Sequence, residues 1–405
     1  MKFNKWTLGL AAVGVVSLAS AARADEKMNA LQTALSNTTI SGYVSASFNW
    51  DIYPGGAAQV GSPSAFIPFQ PLYKQDGFNL DVVKLSISKP EDESPWASGY
   101  QVDLLFGPDA VGYNPSWNSS GYSDFAIKQA YVALRTPVGN GIDWKIGVFD
   151  SPLGYEVFDA GSNPNYTRSI GYAIEPTELT GILGTYKIND EWSVSLGVAN
   201  TLTSGINSRD FESGFGDGAG SFWKKTILGS LAYTAPSSWG WAAGSSMYAG
   251  AIYGYTDQSF GYGNDYQANY YAGVTLNTPW KQLTTGFAFD FADHFDAFPI
   301  NVWVLGGYGT FKATDKLSFN ARAEYAKASF IPSGTGDSPD LFEFTGTIEY
   351  DLWANVISRL ELRWDHVLDN KNAVAEGAYE FTDYDYDTVF NRDSVGLYAN
   401  IIYKF

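Results

Sequence analysis

A chain of 405 residues with 43 Asp+Glu against 25 Lys+Arg carries a formal net charge of −18, which excludes nucleic acid as a partner because that binding needs clustered positive charge. It has no cysteine, so neither disulfides nor thiolate metal sites hold it together. Aromatic residues reach 16% while charged residues fall to 17%, below the quarter or so of a soluble domain; a barrel surface in lipid, where charge is penalised, has that balance.

In chain order, the first element is an export signal. Lys2 and Lys5 precede an apolar stretch over residues 6–19, and Ala22-Arg23-Ala24 supplies a small-x-small cleavage site. Residues 1–24 are therefore set aside from the fold. No apolar run of about 18 or more follows, which excludes helical membrane spans. In residues 25–37, Met28, Leu31 and Leu35 fall at helical spacing. A short amphipathic helix, periplasmic or tucked into a lumen, and a frayed terminus both remain open.

From residue 38 onward one signal repeats, the period-two alternation of strands with two unlike faces. Ile40, Val44, Ala46, Phe48 and Trp50 alternate with Ser41, Tyr43, Ser45, Ser47 and Asn49. Phe319, Ala321 and Ala323 alternate with Asn320, Arg322 and Glu324; Leu360, Leu362 and Trp364 alternate with Glu361, Arg363 and Asp365. The segments run about ten residues and carry aromatics near their ends, which suits tilted membrane strands better than a soluble sandwich. The expected fold is an all-β transmembrane antiparallel β-barrel over residues 38–405, with about 16 strands, long extracellular loops and short periplasmic turns. The strands begin near Thr38, Asp81, Gly99, Phe125, Ile142, Thr180, Trp192, Lys225, Gly244, Gln267, Leu283, Val302, Leu317, Leu341, Val356 and Val395. Two turn segments, residues 187–193 and 312–318, share one pattern, in which an Asx-containing pair sits between an apolar and a charged residue.

The third long connection, residues 150–179, is the densest in polar chemistry. It follows Gly147-Val148-Phe149-Asp150-Ser151-Pro152-Leu153-Gly154-Tyr155-Glu156 and contains Asp159, Asn163, Tyr166, Arg168 and Glu175-Pro176-Thr177. With Gln129-Ala130-Tyr131 upstream and Thr180-Gly181 downstream, the sequence resembles the β-barrel porin-2, OmpL-like family of outer-membrane porins from about Gly42 to Phe405. The resemblance implies a pore-forming barrel with no enzymatic activity and no cofactor. By analogy with general porins it also implies that this loop folds inward and narrows the channel. Glu156, Asp159, Asn163, Tyr166, Arg168 and Glu175 then either set charge at a constriction, as ion-selecting pores do, or pin the loop to the wall by ordinary hydrogen bonds. The sequence leaves both open.

Facing that loop, a charged wall is expected to line the pore: Lys128 and Arg135 on the fourth strand, Arg322 and Glu324 on the thirteenth, and Arg359, Glu361, Arg363 and Asp365 on the fifteenth. On the lipid side such residues cost about 2–4 kcal/mol each for Arg or Lys at the midplane. Overall acidity suggests cation preference, although the local potential at the narrowest point decides. Asp383, Asp385 and Asp387 alternate with tyrosines, but a calcium loop needs a glycine and a distal glutamate that this segment lacks. A solvated acidic outer loop, with no metal, is the expected reading.

The last strand, residues 395–405, sets Val395, Leu397, Ala399, Ile401, Tyr403 and Phe405 on one face. Tyr403 and Phe405 resemble the terminal signal that outer-membrane proteins present to the barrel-assembly machinery. Expected partners are therefore outer-membrane lipid, that machinery and two further copies in a homotrimer. The function expected is passive diffusion of small hydrophilic solutes and ions. The rivals are a substrate-specific channel of sugar type, with Tyr248, Tyr253, Tyr270 and Tyr271 either as a ring-stacking track or equally as membrane-interface girdles, and a structural or adhesive surface barrel.

Overall fold

The computed structural model describes residues 37–52, 74, 76–113, 124–208, 224–256, 266–295, 300–330, 340–368 and 393–405. The expected signal segment and almost all of residues 25–37 lie outside these, as do Asp383, Asp385 and Asp387.

Sixteen antiparallel strands form one closed barrel: β1 (Thr39–Asp51), β2 (Gly77–Lys89), β3 (Ser98–Phe106), β4 (Phe125–Thr136), β5 (Ile142–Asp150), β6 (Glu178–Lys187), β7 (Trp192–Ala199), β8 (Thr226–Thr234), β9 (Ser246–Tyr255), β10 (Tyr266–Asn277), β11 (Leu283–Asp293), β12 (Ile300–Lys312), β13 (Leu317–Phe330), β14 (Asp340–Trp353), β15 (Val356–Val367) and β16 (Asp393–Lys404). Each strand pairs with its sequence neighbours, and β16 closes on β1 from Tyr43↔Lys404 to Asp51↔Gly396. Gly42 and Phe405 complete the seam by exchanging backbone hydrogen bonds of 3.0 Å each way. Closure leaves no unpaired edge, the condition for a sheet to cross hydrocarbon.

The two faces are inverted relative to a soluble protein. Ile40, Phe48, Leu196, Phe289, Leu360 and Ile401 are exposed on the outside, while Ser45, Ser47, Asn320, Arg322, Glu361 and Arg363 are buried within. Trp96, Trp239, Trp241, Trp280 and Trp353 are exposed in or beside the short turns, where amphipathic rings suit the membrane–water boundary. The two matched turns share one device. Asn189 Oδ1 accepts from the amides of Glu191 and Trp192 at 2.9 and 2.8 Å, and Thr314 Oγ1 accepts from Lys316 and Leu317 at 3.2 and 3.0 Å.

Alternation breaks at two β-bulges. On β2 the register with β1 shifts between Ser45 and Ala46, so Asp81 and Val82 both face inward and are buried. This is why β2 begins at Gly77 rather than near Asp81, since a strict period of two cannot be followed through the extra residue. On β4 the register with β3 shifts between Asp103 and Leu104 and passes over Lys128. Lys128 and Arg135 are an odd number of positions apart, yet the bulge turns both inward.

The interior is not uniformly polar. Phe149, Leu179, Leu183, Ala199, Leu228, Ile252, Tyr271, Ala288 and Tyr308, drawn from β5 to β12, pack with Leu153 and Leu202 into one buried apolar cluster. The charged wall lies across the barrel, on β13 to β15.

Candidate functional site: an inward loop and the cavity beside it

Residues 151–177, which connect β5 to β6, cross the lumen and dock on the charged wall. The segment braces itself first. Asn163 accepts from the Val157 amide at 2.9 Å and donates to the Val157 carbonyl at 2.6 Å. Ser169 caps a short helix, Ile170–Ile174, by accepting from the Tyr172 amide. Arg168 donates to the carbonyls of Tyr166 and Phe158.

The wall then engages the loop's main chain. Arg359 donates to the carbonyls of Ala160 and Asn163, both at 2.7 Å. Arg322 donates to the Thr167 carbonyl at 2.7 Å and Arg363 to the Arg168 carbonyl at 2.6 Å. Glu361 accepts from the amides of Tyr166 and Thr167 at 2.6 and 2.8 Å; Glu324 accepts from Ile170 and Gly171 at 2.7 and 3.1 Å. Charge-assisted bonds of this kind are stronger than neutral ones.

Side chains add ion pairs. Glu156 meets Arg322 at 2.8 Å, and Arg322 also meets Glu343 at 3.1 Å. Asp159 meets Lys84 at 2.8 Å, Arg363 pairs with Asp365 at 2.8 Å, and Arg359 pairs with Glu349 at 2.6 Å. The Tyr166 hydroxyl donates to Asp81 at 2.8 Å, an aspartate also held by Lys74 at 3.1 Å. Glu175, at the far end of the loop, has its carboxyl held well above the usual range by burial and by the neighbouring carboxylates Asp290, Glu156 and Glu324.

The wall residues expected to line a pore therefore point inward but are covered: Arg322 is 0%, Glu324 2%, Glu361 1% and Arg363 1% exposed. Arg359 and Asp365 are buried with them. Arg135 faces inward near the short-turn end, paired with Asp143. Open space lies elsewhere. A cavity of about 630 Å³ is lined by β1–β5 and β9–β12 and by the loop itself, including Lys128, Glu156, Asp159, Asn163 and Glu175, with no residue from β13–β16. It occupies the short-turn half, where Thr39, Ser41, Ser88, Lys89, Tyr100 and Ser246 reach it.

Of the four tyrosines expected to form one track, Tyr248 and Tyr271 face this cavity. Tyr253 and Tyr270 lie on the outer face, 53% and 48% exposed. Sequence reasoning missed Lys84, Asp103, Tyr131 and Lys145, all cavity residues. The alternation of Lys84 with Val83 and Leu85, and of Lys145 with Trp144 and Ile146, carried that signal.

Comparison with known proteins agrees with this geometry. No curated protein sequence matches the chain. Among solved structures, it is similar to an anion-selective porin from Comamonas acidovorans, with 14% identity, coverage of 91% of this chain and 99% of that one, and a TM-score of 0.56. It is likewise similar to Salmonella typhi OmpF in complex with daunomycin (13%, 91% and 97%, 0.56) and to the trimer form of in-vitro folded OmpT from Vibrio cholerae (14%, 91% and 99%, 0.54). At these identities the likeness speaks for the fold. The model of the beta-barrel porin-2, OmpL-like family matches residues 37–405, which contain all sixteen strands, and this protein belongs to that family of bacterial outer-membrane porins.

Proposed function

We propose that the barrel passes small hydrophilic solutes and ions by passive diffusion, along an eccentric route beside the inward loop. The observation that carries this reading is the position of the cavity. The β13–β15 wall is saturated by the loop, and the β5–β12 interior is partly filled by the apolar cluster. Water-accessible space is left against hydroxyl-bearing, tyrosine and lysine side chains of β1–β5 and β9–β12. A polar, hydrated passage of that kind selects by size and local charge and requires no energy coupling. Neither a cofactor nor a catalytic step enters this reading. Residues 1–24 act as the cleaved export signal, and Tyr403 and Phe405 as the handle for the assembly machinery. The barrel assembles as a homotrimer, by extension from the trimeric Vibrio cholerae relative.

Folded protein reconstituted in planar bilayers tests the reading. Stepwise conductance that scales with bulk salt is the expected result; insertion without conductance steps overturns it. Tyr248 and Tyr271 at the cavity keep a sugar-type channel as the second reading, for which current block by a neutral oligosaccharide is the distinguishing result.

A further inference from the structure

Three inward-facing lysines stand along the β2–β5 arc of the cavity, and two have carboxylate partners. Lys84 meets Asp103 at 3.2 Å and Asp159 at 2.8 Å. Lys128 pairs with Asp150 and lies over the Tyr113 ring at 4.7 Å. The third, Lys145, forms no ion pair among the described residues. Its ammonium sits over the Tyr131 ring, 5.0 Å from the centroid, and opens onto the cavity. Its cross-strand neighbours are Ala133 on β4 and Leu183 on β6, neither of which offers a counter-charge. Around it the cavity presents Ser88 and two carboxylates already held by other lysines: Asp103, which pairs with Lys84 and accepts from Gln101 and Gln129, and Asp150, which pairs with Lys128.

An ammonium in a low-dielectric recess attracts an anion more strongly than one in open water. The aromatic face steadies the cation without neutralising it. We propose that Lys145, set over Tyr131, forms an anion subsite in the cavity. Its solute class is small hydroxylated organic monoanions, whose carboxylate meets the ammonium while a hydroxyl meets Ser88. This inference rests on the diffusion-channel reading.

Block of single-channel KCl current tests it, with gluconate added on the short-turn side and sorbitol as the neutral control. In the native protein gluconate blocks at lower concentration than sorbitol. Lys145→Gln raises the half-blocking concentration of gluconate about fivefold, the equivalent of one unit charge contact in water, and leaves sorbitol unchanged. Lys145→Arg retains the block, and Lys316→Gln, on an exposed turn outside the cavity, behaves as native. Lys145→Met, which keeps the stem over Tyr131, replaces the Gln variant if that one does not fold. Normal KCl conductance with no gluconate-specific block, or block that survives both neutral variants, overturns the subsite and leaves the channel standing. Absence of KCl conductance in the native protein overturns the channel reading instead.

Discussion

Arg322 on β13 and Glu156 in the inward loop meet at 2.8 Å across 166 residues of sequence. Both side chains are fully enclosed, and the same guanidinium holds Glu343 at 3.1 Å. Replacing the arginine takes the cation from Glu156 and from Glu324, which it meets at 3.6 Å, and leaves Glu343 only Arg363 at 3.9 Å. Arg322→Met is expected to cost about 3–5 kcal/mol, read as a lower urea midpoint of the folded barrel. It should also add current noise as the loop loosens. Adding Glu156→Gln to the Met variant recovers part of the loss. An unchanged midpoint in the single variant contradicts the staple.

Gly147 on β5 holds a left-handed backbone angle of +136°, and a Cβ there would lie 2.3 Å from the Ala130 carbonyl oxygen on the paired strand. Gly147→Ala is expected to cost roughly 1–3 kcal/mol. Gly309→Ala is the matched control, since a Cβ at that position meets nothing within 4 Å. Equal urea midpoints for the two variants contradict the argument.

Glu91, in the short connection between β2 and β3, has its carboxyl pushed up to about 7 by burial and by the neighbouring Asp143 charge. Between about pH 4.5 and 7 the folded chain thus keeps a proton that the unfolded chain has released. Linkage makes stability fall as pH rises through that window. Glu91→Gln removes this slope, so the variant gains on the native protein between about pH 5 and 8. Urea midpoints measured across that range give the answer; parallel curves contradict it.

Phe405 joins the barrel seam through its backbone bonds to Gly42, and its ring lies where a Gly42 Cβ would be, 2.8 Å away. Removing Phe405 is expected to lower the folded fraction in the outer membrane, scored as the heat-modifiable band on gels. Phe405→Leu loses less, because the seam bonds survive. A folded fraction equal to native in the deletion removes any role in assembly.

Much of the barrel was legible because alternation is a local property. Ile40 to Trp50 and Phe319 to Glu324 declare their faces within a few residues. Where the period slips, boundaries are lost: β2 begins at Gly77 rather than near Asp81, a bulge residue, and a bulge is fixed by the neighbouring strand. The loop's candidate residues were visible as a polar cluster, but their partners were not. Glu361 and the Tyr166 amide are 195 positions apart, and nothing local links them. The apolar inner cluster was also hidden, since Leu183, Leu228 and Ile252 read the same whether they face lipid or lumen. For the same reason Tyr253 and Tyr270 were grouped with Tyr248 and Tyr271 until the register separated them.

Five wall side chains, Arg322, Glu324, Arg359, Glu361 and Arg363, hold the loop chiefly by its peptide groups. Peptide groups are common to every residue except proline, whose amide is missing. The holder is therefore largely indifferent to what the loop carries on its other side. Pro152, Val157 and Ser162, which line the cavity and give the clamp no side chain, can be rewritten while the same clamp seats the segment. A lineage, or a designer, can exchange the cavity-facing chemistry of such a channel without rebuilding its frame.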